Sequence, residues 1–531
     1  MGKTIIYQIL PRLWGNACGS PRRNGSLREN GSGTFSAVDT PTLAYIKGLG
    51  VSHVWYTGVL RHATSESFEG CPASVPAIVK GKAGSPYAIT DYYDVNPYLA
   101  DDPASRMAEF EALVKRTHEA GLKLLIDFVP NHVSRDYGRV GQANPSVEPL
   151  GKSDDPTMHW KPSNDFFYYP GEVLHLPAEA IPEGSPGYYE NPAKASGNCF
   201  TPSPGKDDWY ETVRLNYCDF PTPTCDKMLD VVLFWCRKGI DGFRCDMVEM
   251  VPWQFMKWLV AEVKREFPDT LFVGEVYDKG LYSKYVNVVG FDLLYDKSGL
   301  YDSLRSIICG GASAKKVTWN WQSLGSLQPN MLNFLENHDE QRFASAFFGR
   351  TPDRAFAALA AGLLFNRSAF MLYCGQEVGE EGMDEEGFSG RDGRTSIFDW
   401  WSVGSLARLH EYIHSGSGLG PAEAGVLARY REILAAASSE AAFSDGGTFD
   451  LCYCNYDSPG FDPDRHFAFL RSSGTDTFLV LCNFSESPSC LSLTVPREAF
   501  SCLGIPMTEK LNPQVRIELD VPGQGYSVVR L

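Results

Sequence analysis

The segment "GFRCD" (242–246) sets an arginine two positions before an aspartate in a run that is otherwise apolar or small. Side chains alternate along a strand, so Arg244 and Asp246 would share one side. Three other short apolar runs end in charged, amide or imidazole side chains. "LKLLIDFVPNH" ends in Asp127, Asn131 and His132, "LFVGEVY" carries Glu275, and "MLNFLENHD" ends in Glu336, Asn337, His338 and Asp339. Three carboxylates from separate strands, Asp246, Glu275 and Asp339, would be costly to gather beside one arginine without a purpose, because neighbouring like charges raise one another's pKa. Such a cluster suits acid and base work. Breaking a glycosidic bond with retention needs an ionised carboxylate as nucleophile and a protonated carboxyl to supply the leaving oxygen, about 5–5.5 Å apart. Asp246 fits the first role, since Arg244 would keep it ionised. Glu275, after apolar "LFVG", fits the second with a raised pKa.

Something must bring these strand ends together. Runs of strand length alternate with amphipathic helical stretches from residue 4 to about 435, a pattern that predicts a parallel sheet with helical crossovers. Eight such strands, from "TIIYQIL" to "AFMLYCGQE", make a closed (β/α)8 TIM barrel the economical α/β architecture, whose strand ends converge on one face. The barrel is expected over 1–132 and 211–440. About 90 residues rich in Pro, Gly, Ser, Asn and aromatics separate the third strand from the next helix, too many for a plain loop, so an inserted subdomain is expected at 133–210. Short alternating segments beyond the helix "EAGVLARYREILAAASS" predict an antiparallel β-sandwich over 445–531.

Composition narrows the partners. With 531 residues and 43% hydrophobic content, the chain can bury a large core. Lys and Arg total 48 against 65 Asp and Glu, and the net charge of -17 argues against nucleic acid or anionic membrane. No run of 18 apolar residues is present, and "MGKTIIYQILPRLWG" lacks the marks of a signal peptide, so a cytoplasmic location is expected. The fourteen cysteines, among them Cys236, Cys309, Cys374 and Cys482 in apolar runs, are read mostly as reduced core residues.

The four segments "DFVPNH" (127–132), "GFRCD" (242–246), "GEV" (274–276) and "ENHD" (336–339), in this order at strand ends, resemble the signature segments of the α-amylase family of glycoside hydrolases. "SPYAITDYYDVNP" (85–97) and "YCGQEVG" (373–379) are similar to its segments at the second and eighth strands, so the resemblance runs over essentially the whole chain. It implies Asp246 as nucleophile, Glu275 as proton donor and Asp339 as the third carboxylate, which holds sugar hydroxyls. It also implies that Arg244, His132 and His338 line the subsite of the cleaved glucose and that Tyr87 stacks on that ring. Asp127 and Asn131 would be supportive.

The chain also departs from the family pattern. Glu249 and Met250 stand where many members have a Lys-His pair for sugar beyond the cleavage point. "NHDEQR" (337–342) is similar to α-glucosidases and cyclomaltodextrin-degrading members, where Arg342 would contact sugar, or else pair with an acidic neighbour. Arg214 stands where calcium-dependent members carry an aspartate ligand, and a cation repels calcium; no organic cofactor or metal is expected, although Asn131 matches another ligand of that calcium site. The aromatic runs "WYETVRLNY" and "FDWWS" are read as packing. The expected activity is retaining hydrolysis of α-glucosidic bonds, α-1,4 above all, in glucans or maltooligosaccharides derived from starch or glycogen. The alternatives are a transglycosylase of the same family and a non-catalytic glycan-binding relative. The sequence leaves endo or exo action and oligomeric state open.

Overall fold

The computed structural model describes residues 2–531 apart from Val140, Met383, Asp384, Ser389 and Thr475. Eight parallel strands close a barrel in chain order: β1 (Ile5–Ile9), β2 (His53–Tyr56), β3 (Lys123–Phe128), β4 (Gly242–Cys245), β5 (Leu271–Gly274), β6 (Leu293–Tyr295), β7 (Met331–Phe334) and β8 (Ala369–Tyr373). The ring is sealed by β1 against β8, with Ile5 opposite Phe370. All eight arise from the runs singled out in the sequence. They are apolar nearly throughout because both faces are covered, by side chains inside and helices outside.

The helices show the complementary stripe. Trp253–Glu266 buries Phe255, Met256, Leu259, Val260 and Val263, the spacing of one helical face, and starts directly after Pro252. Pro223–Arg237 begins with proline at its first position, where the missing N–H costs nothing. Ala355–Leu364 is buried all round because the C-terminal domain covers its outer side. There Phe365 packs against Phe467 and Phe469 at 4.8 and 5.0 Å, and the Arg471 guanidinium donates to the Leu364 carbonyl at 2.8 Å.

After β3 the chain leaves the barrel and returns through an antiparallel ladder of His132–Ser134 with Thr212–Arg214. The segment 135–211 lies between these strands. It carries little regular structure beyond Tyr168–Tyr169 paired with Ala193–Lys194. Buried polar anchors hold it instead: Arg135 pairs with Glu190 at 2.6 Å, and Lys227 of the barrel reaches Asp165 at 2.6 Å.

The C-terminal region forms two antiparallel sheets. One joins Gly447–Asp450, His466–Ser472, Thr477–Asn483 and Tyr526–Arg530; the other pairs Ser489–Thr494 with Arg516–Val521. Cysteines 236, 374 and 482 are buried, whereas Cys309 is exposed at the end of its helix, against expectation, because the apolar face there belongs to Leu304 and Ile307. No described helix is long and apolar enough to cross a membrane.

Candidate active site

The carboxyl end of β4 supplies the centre. Gly242 begins the strand because a Cβ there would come within 2.6 Å of the Leu271 carbonyl oxygen. Arg244 then points inward and is 1% exposed, and Asp246 follows just past the strand. One Arg244 nitrogen, Nη1, lies 2.5 Å from Asp246 Oδ1; Nη2 lies 2.8 Å from Glu275 Oε2 and 3.8 Å from Asp339 Oδ2. A single planar guanidinium therefore spans all three carboxylates. Three rings box it in, those of Tyr87, Trp55 and Tyr295, with centroids 5.3, 5.5 and 5.6 Å from the guanidinium carbon.

Glu275 follows Gly274, whose missing side chain leaves room for Leu294 and Phe291, 2.9 and 3.0 Å from where a Cβ would stand. Met247, directly after Asp246, adopts φ 42°, a left-handed conformation costly for a residue with a side chain. That turn aims its N–H at Glu275 Oε2, 2.9 Å away. The other carboxylate oxygen accepts from the Tyr277 hydroxyl at 2.6 Å.

Asp339 comes from the end of β7 and keeps 36% of its side chain open to the cavity. Its Oδ2 lies 3.0 Å from His338 Nε2. Gln8 on β1 donates its amide to His338 Nδ1 at 2.7 Å, which leaves the ring proton on Nε2, beside the Tyr87 hydroxyl and Asp339. Tyr87 in turn donates to Asp127 at 3.5 Å, while Asp127 accepts the Gly58 N–H at 2.8 Å. Asp127 thus ties β3 to the loop after β2 and supports the site from below.

Burial governs the charges. It pushes Asp246 up to about 6, and Arg244 opposes this without cancelling it. The sequence had suggested that Arg244 would decide the ionisation; desolvation outweighs it. Glu275 is also raised by burial, against the pull of Arg244, and Asp339 is raised by burial and then by the charge of Glu275. His132 and His338 are held neutral, His132 down to about 3, because burial penalises their cations. The site thus holds the Arg244 cation at its centre, with Lys80 on the cavity wall, two neutral imidazoles and three carboxyls whose pKa values are all raised by burial.

A cavity of about 340 Å³ opens over this cluster, lined by Tyr87, His132, Asp246, Glu275, Tyr277 and Asp339 among others. Of the expected substrate contacts, Tyr87 and His132 reach its wall, while Arg244 and His338 lie beneath it. Arg342 is elsewhere. It is wholly buried, pairs with Glu336 at 2.9 Å, donates to the Cys374 carbonyl and Thr395, and lies 3.8 Å from the centre of the Tyr373 ring. Of its two readings, pairing with an acidic neighbour is the one the geometry shows, because the chain turns back after Asp339.

The sequence missed Tyr277, whose position two residues past Glu275 was its only signal, and the aromatic box of Trp55 and Tyr295. It also missed Trp209, read as packing, which lines the cavity with its ring 5.0 Å from His132; Phe398 lines it too, whereas Trp400 and Trp401 are buried.

A family model described as the α-amylase catalytic domain matches residues 20–405. The chain belongs to the α-amylase family. It is 24% identical over 495 residues to an α-amylase of Haloarcula japonica, covering 92% of this chain and 56% of that one. It is 24% identical over 501 residues to a cyclomaltodextrinase of a Bacillus species, covering 90% of this chain and 72% of that one. The chain thus spans little more than half the length of the first relative. Among solved structures, the cyclic α-maltosyl-(1→6)-maltose hydrolase of Arthrobacter globiformis in complex with maltose superposes with a TM-score of 0.66 at 18% identity, covering 99% of each chain, a likeness of fold.

For an α-amylase-family barrel the calcium position can be tested on its donors. Asn131 Nδ2 donates to the Gly197 carbonyl at 2.8 Å, Arg214 Nη1 donates to the same oxygen at 3.0 Å, and Arg214 Nη2 donates to the Met250 carbonyl at 2.8 Å. A guanidinium already takes these carbonyl oxygens, and its charge opposes a second cation beside it. Among the described residues, no group of three or more His, Cys, Asp or Glu is arranged to hold a metal. The residues present do not fit calcium.

Proposed function

We propose that this chain is a retaining hydrolase of α-glucosidic bonds, chiefly α-1,4, in maltooligosaccharides and glucans related to starch or glycogen. The observation that carries this is the single Arg244 guanidinium bound to both Asp246 and Glu275 on the floor of a sugar-sized cavity. Protonated Glu275 gives its proton to the glycosidic oxygen as the bond from C1 to that oxygen breaks, and the Asp246 carboxylate forms the new bond to C1. Ionised Glu275 then takes a proton from water, whose oxygen attacks C1 and releases Asp246. Arg244 stabilises the carboxylate form in each half-cycle, and Asp339, open to the cavity, accepts from sugar hydroxyls. Tyr87 and Trp209 offer flat faces to the C–H side of the ring. No organic cofactor enters these steps, and Arg214 supplies the positive charge that a bound ion would bring.

Incubation with maltose, isomaltose, maltoheptaose, cyclodextrin, pullulan and sucrose, followed by product sizing, tests the proposal. Shortened maltooligosaccharides from maltoheptaose are expected. Products longer than maltoheptaose as the main outcome would replace hydrolysis by transfer, and failure to turn over any of the six would reject the assignment.

A further inference from the structure

Glu249 lies in the loop after β4, and its carboxylate turns to the backbone instead of lining the catalytic cavity. Its Oε1 accepts two consecutive backbone donors, Tyr277 N–H at 2.8 Å and Asp278 N–H at 2.6 Å. These amides belong to the turn that follows Glu275. The same Tyr277 lines the cavity and donates its hydroxyl to Glu275 Oε1 at 2.6 Å. A chain of contacts thus runs from one loop to the carboxyl at the heart of the site.

We propose that Glu249 and Tyr277 act as a positioning pair for Glu275, Glu249 fixing the turn by its two main-chain contacts so that the Tyr277 phenol is held on the carboxyl. This rests on Glu275 being the proton donor. Both oxygens of that carboxyl are engaged, Oε1 by the phenol and Oε2 by the Met247 N–H and Arg244, so its rotation is fixed from two sides. A phenol donating to a carboxylate favours the ionised form. It therefore restrains a carboxyl that burial drives upward, and it helps Glu275 to work as a base in the second step. The charged and titratable groups facing Glu275 are Arg244 and Asp246 from the end of β4, Tyr295 from β6, Asp339 from the end of β7 and Tyr277 from its own turn. Lys297 stands beyond the Tyr277 ring, its nitrogen 5.8 Å from the ring centre. Tyr282 and Tyr285 neighbour Glu249.

The test is the pH profile of kcat/KM with a maltooligosaccharide for wild type, Tyr277→Phe, Glu249→Ala and Glu249→Gln, with Glu275→Gln as control and a thermal melt for each. Loss of the phenol raises the pKa of the acid, so the alkaline limb of Tyr277→Phe should move upward by about one pH unit. Glu249→Ala should reproduce that shift, because the turn is released. Glu249→Gln should largely restore the wild-type limb, since an amide oxygen still accepts an N–H. A purely structural role would lower the melting temperature and leave the limb in place. An unmoved limb in Tyr277→Phe overturns the proposal while leaving the assignment of the acid intact. Wild-type turnover by Glu275→Gln would overturn that assignment, and the proposal with it.

Discussion

Replacing Asp246 by Asn should raise the stability of the variant relative to wild type progressively as the pH rises, on top of a constant offset from the lost contact with Arg244, and at the expense of its activity. Asp246 is 5% exposed, and burial lifts its pKa to about 6. In an unfolded chain an aspartate titrates near 3.9. Between these values the folded state binds more protons than the unfolded state, so wild type loses stability as the pH rises through the window; the loss is complete once the folded group has ionised. Two units of displacement correspond to about 3 kcal/mol. Asparagine has no such titration, and any constant change from losing the contact with Arg244 drops out of the slope. For a chain of 531 residues this amounts to about 3 °C. Melts of both proteins should show the gap, variant minus wild type, widening by that amount from about pH 4 to pH 7. A gap that stays flat or narrows would mean that Asp246 ionises without a desolvation cost, and would refute the electrostatic account of the site.

Two other substitutions separate structural arginines from sugar contacts. Arg342→Met strands Glu336 in the core and should cost about 3–5 kcal/mol in denaturant melts, with the KM for maltooligosaccharides unchanged below the melting range. A raised KM with unaltered stability would restore the sugar-contact reading. For Arg214, EDTA or added calcium should leave the wild-type melting temperature within about 1 °C, which for a chain of this length corresponds to about 1 kcal/mol. Arg214→Ala should lower it by releasing the Gly197 and Met250 carbonyls. A fall in wild-type stability on adding EDTA would contradict the guanidinium's role.

Much of this was legible in the sequence because a barrel strand buried on both faces is apolar almost throughout, so a charge near its end stands out. Asp127, Arg244, Asp246, Glu275 and Asp339 were visible in this way, and the closed barrel orders them. Contacts made by turns left no such mark. The Glu249 carboxylate on the Tyr277 turn depends on loop geometry, and so does the return of the chain that buries Arg342 on Glu336. Trp209 sits in an aromatic run where cavity and core faces have the same composition. Arg516–Val521, with alternating exposed and covered residues at a sheet edge, was too polar to be counted as a strand. The insertion yielded only its composition, because buried ion pairs such as Arg135 with Glu190 hold it in place of periodic structure.

The central claim is that Asp246 bonds to the sugar while Glu275 handles the proton. Glu275→Gln treated with α-maltosyl fluoride isolates the first step, since fluoride leaves without a proton and the variant lacks the base that would clear the product of that step. Mass spectrometry of the intact protein and of its peptides should find one maltosyl group per chain, on Asp246. A label on any other carboxylate, or fluoride release with no label, would contradict the account.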